Sequence, residues 1–581
     1  MQTSNLALKT LSAHPKFLKK TNEIYIPSET KLNEQIKMNP RAVTKFSIGP
    51  FLTIFSWNIF GGLAAPKPKK MKRLKRIASI LQQEKLTSSL IYVLEPESAS
   101  EMAFAISKLK HLQHVSSLNL KILPLNFCTP YFLKSLSITL SHLKNLKSLS
   151  ISFPMRIEMT PQLLTSLFFA LERLNSLKSL SFLANYPGSW SDESWIALTS
   201  CLCRLPWLKS FAVTITNCQV IGDSVLSLFA PAFKKLTLLE NVNIGLFDCQ
   251  RVQSQSIINF FTSIKSLKFL KSIALNLGRT NIAMASSDPF SKGLNALNPS
   301  LLESLDLKYY SSPNDQSLQE LGTTLQRFTS LRDLGLDFKE NNNITDQGLS
   351  QLASSLETLQ SLSSLSLDFF SAQNLQTSVK IIGNTIKHLA KLTSLDLNFT
   401  EQKTTNNSQL SSLAAGLQGL TALKSLNLRF SDFTKVTDPG FVVFSQALQG
   451  LTELSSLKLE LLYMRELTNK GIISLSSAIG NLTKLTYLSL SLIGNRNFNK
   501  ESTDSLGQAF KNLSSLTSIH LNFTECQSLK GDGDNFLAIF KALGQLKYLR
   551  KILASLPFSP VNVTASQLYT RQVTDQTTFW G

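Results

Sequence analysis

Histidine and cysteine are scarce in this chain, with six of each among 581 residues, and charged residues make up only 17%. The dispersed histidines provide no zinc spacing, and the sequence contains no Gly-rich phosphate loop, no His-Glu-x-x-His and no nucleophile elbow. The cysteines lack the terminal clusters that staple secreted repeat domains. We therefore predict no catalytic, cofactor-binding or metal-binding residues, and reduced thiols in a cytoplasmic compartment.

Acidic residues are also few, since 38 Asp and Glu stand against 59 Lys and Arg and leave a net charge of +21. The excess is uneven, because residues 1–80 carry fifteen basic and only three acidic side chains. The rest of the chain is much closer to balance, which does not indicate nucleic-acid binding by the whole body. A hydrophobic content of 43% excludes a chain that is disordered throughout.

Leucine at a fixed spacing is what the sequence has in abundance. Aligned Leu-x-x-Leu-x-Leu stretches recur with a period of about 31 residues, and ten of their fourteen intervals are identical. Their first positions are Val115, Leu146, Leu177, Leu208, Leu239, Leu270, Leu302, Leu331, Leu362, Leu392, Leu423, Leu454, Leu485, Leu516 and Leu549. A weaker copy, Leu86 to Leu94, is predicted to be a degenerate first repeat, because terminal repeats are commonly atypical.

Each repeat reads as one strand followed by one helix. The alternation in LSSLSLDF sends Leu365, Leu367 and Phe369 to one side, which is the period of a strand. The TDQGLSQLASSLETL frame just before that strand has leucines at spacings of three and four, which predicts an amphipathic helix with Asp346 at its N-cap. Such a unit cannot bury its apolar faces alone, so neighbouring repeats must stack.

The Leu-x-x-Leu-x-Leu strands followed by Gly-Leu-x-x-Leu-Ala-x-x-Leu helices, as in Gly348 to Leu356, resemble the ribonuclease-inhibitor-like class of leucine-rich repeat proteins. The resemblance covers residues 86–553 and implies an α/β horseshoe of about fifteen repeats, used as a binding scaffold. Its parallel sheet would line the concave face and its helices the convex face. We predict an N-terminal arm at 1–80, a solenoid at 81–553 and a cap or tail at 554–581.

One departure from that class is the residue that follows the strand. The usual Asn is mostly replaced by an aromatic residue two places after the last Leu. These aromatic residues are Phe153, Tyr309, Phe338, Phe369, Phe399, Phe430 and Phe523. We predict a strand that is longer by a residue or two, and a column of Phe side chains in the core instead of an Asn ladder.

The solvent-facing strand positions predict a partner-binding surface on the concave face. Five aspartates fall in four successive repeats, relieved by one lysine, and residues of mixed sign follow them. The predicted partner-binding residues are Asp306, Lys308, Asp333, Asp337, Asp368, Asp396, Arg429, Lys458 and Glu460. A locally acidic face disfavours nucleic acid, which requires Lys and Arg, and favours a basic protein segment. A solvated face without a ligand is the alternative.

The N-terminal arm combines an uncharged apolar stretch, 46–66, with a basic run, 67–76. We predict contact with a membrane or another anionic surface through Phe51, Trp57, Phe60, Lys67, Lys69, Lys70, Lys72, Arg73, Lys75 and Arg76. Alternatives are an apolar cap over the first repeats, or nuclear import or RNA binding by the basic run. The absence of Asp and Glu before Glu23 leaves mitochondrial import as a further alternative.

These patterns together favour a non-enzymatic scaffold or adaptor that binds a protein partner with the concave face of the solenoid. The alternative is a structural subunit of a large assembly, RNA-containing or membrane-associated, that is anchored by the basic arm. The tail after residue 553 either covers the last repeat or docks through Phe579 and Trp580.

Overall fold

The computed structural model describes residues 53–58, 89–95, 115–122, 130–153, 161–185, 190–217, 225–249, 251–280, 288–308, 313–529, 533–557 and 560–561. The chain divides into two compact units. Unit 1 comprises Met1–Ala283 with Ala296–Leu301, and unit 2 comprises Met284–Asn295 with Leu302–Gly581.

Unit 1 contains eight strands among its described residues, and each pairs in parallel with the next along the chain. They are β1 Thr53–Asn58, β2 Ser89–Glu95, β3 Ser117–Ile122, β4 Ser148–Phe153, β5 Ser179–Asn185, β6 Ser210–Thr216, β7 Asn241–Phe247 and β8 Ser272–Asn276. The helices are α1 Pro130–Leu140, α2 Pro161–Leu171, α3 Asp192–Leu202, α4 Val225–Leu228, α5 Ala230–Lys235 and α6 Ser254–Ile264.

Unit 2 repeats the same order, with nine parallel strands and a short antiparallel one among its described residues. The strands are β9 Ser304–Lys308, β10 Asp333–Asp337, β11 Ser364–Asp368, β12 Ser394–Phe399, β13 Ser425–Ser431, β14 Ser456–Leu462, β15 Tyr487–Ser491, β16 Ser518–Asn522, β17 Lys551–Ser555 and β18 Pro560–Val561. The helices are α7 Pro289–Asn295, α8 Asp315–Leu325, α9 Asp346–Leu356, α10 Ser378–Ile386, α11 Asn407–Gln418, α12 Asp438–Gln449, α13 Asn469–Gly480, α14 Lys500–Lys511 and α15 Leu537–Gly544, with 3₁₀ turns at Gln527–Leu529 and Gly533–Phe536.

The strand positions confirm the predicted repeat. All fifteen strands from β3 to β17 begin two residues after the first position of a Leu-x-x-Leu-x-Leu stretch, and β2 lies within the degenerate first repeat. The predicted helix at Asp346–Leu356 is also present. The fold is a leucine-rich repeat solenoid of alternating parallel strands and helices.

Ten strand–helix connections among the described residues contain one left-handed residue each. In unit 2 this residue follows the third outward-facing strand position by three, at Glu340, Ser371, Glu401, Asp432, Tyr463, Gly494 and Glu525. Asn217, Asp248 and Arg279 occupy the equivalent place in unit 1. Their φ values lie between 54° and 71°, so the same sharp turn redirects the chain after each of these ten strands.

The aromatic core differs between the units. In unit 2 the predicted Phe column is confirmed, because Phe338, Phe369, Phe399 and Phe430 stack with ring centroids 5.8, 5.8 and 6.2 Å apart. In unit 1 the rings meet edge to face or at an angle. Contacts run from Phe168 and Phe182 through Trp190, Trp195, Phe229 and Phe233 to Phe260.

The prediction that Phe replaces the Asn ladder needs correction, because a polar ladder persists three residues after the position of the Phe column. Buried Asn341, Gln402 and Asn495 occupy equivalent positions and donate to backbone carbonyls. Cys526 follows in the next repeat, with its Sγ 3.1 Å from the Leu492 carbonyl oxygen. Ala372, Phe433 and Met464 interrupt the ladder. The strands before Asn341 and Asn495 have only five residues, so the predicted lengthening of the strand is wrong there. The Phe column and the polar ladder coexist in the same turns.

Helix N-termini in unit 2 are joined from one repeat to the next. The N-cap of α9 is Thr345, whose Oγ1 accepts from Gln347 N–H, and the predicted cap, Asp346, is the first helical residue. The Asp346 carboxylate instead accepts hydrogen bonds from the backbone and hydroxyl of Thr377 in the following repeat. Asp315 and Asp438 make the same bonds to Thr345 and Thr468. We call this contact the N-terminal latch.

Close packing at the N-terminal latch explains the glycine of the Thr-Asp-x-Gly frame. A Cβ added at Gly348 would clash with the carboxylate and the Cα atom of Asp315, and one at Gly471 would clash with Leu467 and lie 2.9 Å from Asp438 Oδ1. Glycine is required because the preceding repeat and, at Gly471, the side chain of Leu467 leave no space for a Cβ.

The apolar stretch of the arm is described only as a backbone strand, β1, which pairs in parallel with β2. The other predicted arm residues lie outside the described part of the chain, as does the side chain of Trp57. Within the described residues, no helix has the length and apolar character needed to cross a membrane.

Candidate functional site

The predicted partner-binding residues lie on the solvent-facing side of strands β9–β14 in unit 2, which we call the outer sheet face. Parallel register arranges their side chains in three columns. The first column is Ser304, Asp333, Ser364, Ser394, Ser425 and Ser456; the second is Asp306, Gly335, Ser366, Asp396, Asn427 and Lys458; the third is Lys308, Asp337, Asp368, Asn398, Arg429 and Glu460.

Short side chains dominate the part of this face formed by β9–β12. Apart from Lys308, each outward position there is Ser, Gly, Asp or Asn. Gly335 leaves room for its neighbour, since a Cβ added there would lie 2.7 Å from Asp306 Oδ1. The backbone of four adjacent strands can therefore be approached closely by another molecule.

Ion pairs connect the middle of the outer sheet face across four strands. Lys339 Nζ lies 3.7 Å from Asp337 Oδ2 and 3.2 Å from Asp368 Oδ2. Arg429 Nη2 lies 3.8 Å from Asp368 Oδ2 and 2.8 Å from Asp396 Oδ1. The structure thus brings together four of the predicted residues. Lys339 was not among the predicted residues. It lies two residues after the strand ends, where the period-two alternation no longer indicates the orientation of a side chain.

The third-column carboxylates also hold the turn that ends each strand. Asp337 Oδ1 accepts from Lys339 N–H at 3.0 Å, and Asp368 Oδ1 accepts from Phe370 N–H at 3.0 Å. Asn398 makes the same i to i+2 bond at 3.1 Å. Asp337 and Asp368 are only 6% and 7% exposed. These two side chains therefore serve the fold of the strand–helix connection, a role that the sequence pattern did not predict.

Burial raises the pKa of three aspartates on the face. It is the largest influence on Asp306, Asp333 and Asp337; Lys308 opposes the rise at Asp306, Arg332 opposes it at Asp333, and a backbone hydrogen bond from Lys339 opposes it at Asp337. Within the described residues, Asp306 and Asp333 take part in no ion pair. They are the carboxylates that a cationic group could reach most directly.

Strands β13 and β14 end the charged part of the face. Lys458 Nζ and Glu460 Oε1 are 2.6 Å apart and neutralise each other. Asn427 Nδ2 donates to Asp396 Oδ2 at 2.9 Å, while Asn427 Oδ1 and Arg429 Nε are buried without a hydrogen-bond partner. Among the described residues, no three His, Cys, Asp or Glu are grouped so as to hold a metal ion.

Comparisons with known proteins give little beyond the fold. No protein-family model and no curated protein matches the chain. One solved structure that it resembles is a TLR13–ssRNA13 complex, at 18% sequence identity and a TM-score of 0.34. The match covers 83% of this chain and 59% of that one, so the chain spans less than two thirds of the matched structure. At that TM-score the likeness carries no argument about function.

Proposed function

We propose that this protein is a non-enzymatic scaffold that binds a protein partner on the outer sheet face of unit 2. The partner would present an extended, basic segment that lies across strands β9–β12. The single observation that carries the proposal is the run of short polar side chains on these strands, which leaves the sheet accessible to a polypeptide.

Charge supports a basic partner. Asp337, Asp368 and Asp396 are already paired with Lys339 and Arg429. Asp306 and Asp333 would receive Lys or Arg side chains of the partner, while the ion pairs beside them keep the remaining surface fixed. A preorganised surface binds with a smaller loss of side-chain entropy.

We further propose that the repeats belong to the ribonuclease-inhibitor-like subclass. The helices of nine to twelve residues that follow the strands from α8 to α14 support this assignment, and the period of about 31 residues is slightly longer than that of the subclass. The left-handed turn and the displaced amide ladder distinguish this chain within that subclass.

Binding of a twelve-residue peptide of alternating Lys and Ser to the full-length protein tests the proposal by calorimetry. The variant Asp306→Lys/Asp333→Lys should lower affinity about ten-fold or more, because each attractive pair becomes a repulsion. The control Glu357→Lys/Asp504→Lys makes the same change in net charge on partly exposed residues at the C-terminus of α9 and in α14. Equal losses in the two variants would overturn the assignment to the outer sheet face.

A further inference from the structure

The turns that lead into the strands of unit 1 form a second surface. Residues 147, 178, 209, 240 and 271 occupy one position in successive repeats, and each backbone N–H donates to the carbonyl of the preceding member at 2.7–2.8 Å. Four of the five are lysines, all exposed. We call residues 141–147, 172–178, 203–209, 234–240 and 265–271 the turn edge of unit 1.

Apolar side chains occupy the position two residues before the ladder residue in three successive repeats. Trp207 and Phe269 are 58% and 52% exposed, and the partly exposed Leu238 occupies the repeat between them. Because the ladder keeps equivalent residues in register, these three side chains form a row beside the lysines. Large apolar groups exposed in register mark an interaction surface more strongly than scattered ones do.

The equivalent position in unit 2 is mostly closed by hydroxyl groups. Five of its nine occupants donate a side-chain hydroxyl to the carbonyl oxygen of the residue before them in the ladder, at 2.8–3.1 Å: Ser363, Thr393, Ser455, Thr486 and Thr517. Cations occupy only three of the nine positions, at Arg332, Lys424 and Arg550. Lysine is therefore the rule at this position in unit 1, and a cation is the exception in unit 2.

The corresponding turns of the two units also differ in their density of charge. The five turns of unit 1 hold eleven Lys or Arg against Glu172 and Glu240, whereas eight corresponding turns of unit 2, from 326–332 to 544–550, hold nine against two. Cations near helix C-termini complement the helix dipole and account for a basic character in both units. The excess in unit 1 goes beyond that common contribution. Ion pairs join Arg204 to Glu172 and Lys209 to Glu240 within this edge.

We infer that the turn edge of unit 1 docks the protein on an anionic lipid bilayer. Trp207, Leu238 and Phe269 would enter the boundary between headgroups and acyl chains, and the lysines beside them would lie at the level of the anionic headgroups. This surface belongs to the folded repeats and is separate from the outer sheet face of unit 2.

The spacing of the apolar row favours a bilayer over single-stranded nucleic acid. Two repeats separate Trp207 from Phe269, which corresponds to about 10 Å across parallel strands. Bases on one strand would stack on these rings only if they skipped the aliphatic Leu238 between them, because stacking requires an aromatic face. An acyl boundary accepts Trp, Leu and Phe alike and imposes no spacing.

Co-sedimentation of the full-length protein with vesicles of phosphatidylcholine, alone or mixed with phosphatidylserine, tests this inference. The protein should bind only the anionic vesicles, and Lys147→Glu/Lys178→Glu/Lys268→Glu should lower the partition coefficient about 100-fold. Trp207→Ser/Phe269→Ser should lower it about ten-fold at unchanged net charge. The control Arg332→Glu/Lys391→Glu/Lys424→Glu makes the same change of charge in unit 2 and should retain at least a third of the binding.

Several outcomes would overturn the inference. Vesicle binding that survives both unit 1 variants would place membrane contact elsewhere, including the N-terminal arm. Equal losses in the unit 1 and unit 2 charge variants would show an effect of net charge alone. Loss of binding to a 20-nucleotide polyuridylate in Trp207→Ser/Phe269→Ser, with vesicle binding intact, would replace lipid by nucleic acid. Circular dichroism identifies any misfolded variant. Lys→Gln at the same three lysines replaces the Lys→Glu variant of unit 1 if that variant fails to fold.

Discussion

Units 1 and 2 build the same repeat with different internal contacts. Among the described residues, edge-to-face or tilted aromatic rings around Trp190 and Trp195 join the repeats of unit 1, whereas parallel stacked Phe rings, the N-terminal latch and the amide ladder join those of unit 2. Aromatic contacts tolerate several geometries, but hydrogen bonds between successive repeats require one register. The leucine frame therefore specifies the repeat, and the residues between the leucines decide how rigidly repeats are aligned.

The two units also differ in net charge. Residues 130–280 contain 15 Lys or Arg against 7 Asp or Glu, whereas residues 281–581 contain 25 against 24. The modest positive charge of the body therefore resides in unit 1. Taken with the exposed Trp207 and Phe269, this asymmetry agrees with the two proposals, an anionic surface as the partner of unit 1 and a basic segment as the partner of unit 2.

The largest expected effect breaks the aromatic core of unit 1. Trp195 is fully buried, with ring centroids 5.0 Å from Trp190 and 5.6 Å from Phe229, so Trp195→Ala should cost about 3–5 kcal/mol. Hydrogen exchange should accelerate in β6 and remain unchanged in β13. Trp195→Phe should cost far less, because it keeps a ring and removes an indole N–H that is buried without a partner. Equal acceleration in β6 and β13 would contradict separate cores.

The stability of unit 2 should depend on pH through one buried carboxyl group. Burial raises the pKa of Asp288 from 3.8 to about 6, although Ser291 and Phe290 donate hydrogen bonds to it. Between these values the folded state keeps a proton that the unfolded state has lost, so stability falls as pH rises from about 4 to 6 and levels off above. The loss should amount to about 3 kcal/mol relative to Asp288→Asn. If the free energy of urea unfolding varied with pH in the same way for wild type and variant, this prediction would be refuted.

Removal of one member of the amide ladder should have an intermediate effect. Asn495 Nδ2 donates to the carbonyls of Leu461 and Leu492, and its Oδ1 accepts from Met464 N–H. Asn495→Met imitates the neighbouring repeat but leaves these buried groups unpaired, at a cost of about 2–3 kcal/mol. Urea unfolding followed by circular dichroism measures it. A neutral outcome would show that the ladder contributes register without stability.

The N-terminal latch should contribute less, because its groups are partly exposed. Asp438→Ala removes acceptors for the backbone and hydroxyl of Thr468 and for Gly471 N–H, and should cost about 1 kcal/mol. Asp438→Asn should retain most of the stability, since Asn407 accepts from Thr437 N–H at the same position. Thermal melts of the three proteins test the order of wild type, Asn and Ala.

The smallest effect on stability should come from grafting the edge of unit 1 onto unit 2. Ser363→Lys/Thr393→Lys replaces two hydroxyls that fold back on the backbone, and surface changes of this kind stay within about 0.5 kcal/mol. Anionic vesicle binding should rise only slightly, because unit 2 lacks the apolar row. If the two lysines raised vesicle binding as much as a second turn edge of unit 1 would, lysines alone would suffice.

The repeat and its strands could be predicted because leucine spacing reports burial directly. The start of each strand from Ser117 to Lys551 follows from the register of one apolar frame. The candidate site was less predictable. Alternation places Asp337 and Asp368 among the exposed residues, yet both are held by a turn whose left-handed residues, Glu340 and Ser371, have no distinctive side chain. Nor does alternation reveal Lys339, which reaches the face from outside the strand.

The glycine beneath the N-terminal latch makes neighbouring repeats interdependent. A Cβ at Gly348 would lie 2.6 Å from the Cα atom of Asp315, so the repeat after Asp315 needs glycine at this position. Asp315 and Asp438 in turn accept hydrogen bonds only from a following repeat that carries Thr345 or Thr468 in register. A repeat of this type cannot be moved, duplicated or deleted alone without creating a clash or leaving a latch group without its partner. Recombination or design in this part of the chain therefore has to exchange repeats as adjacent pairs.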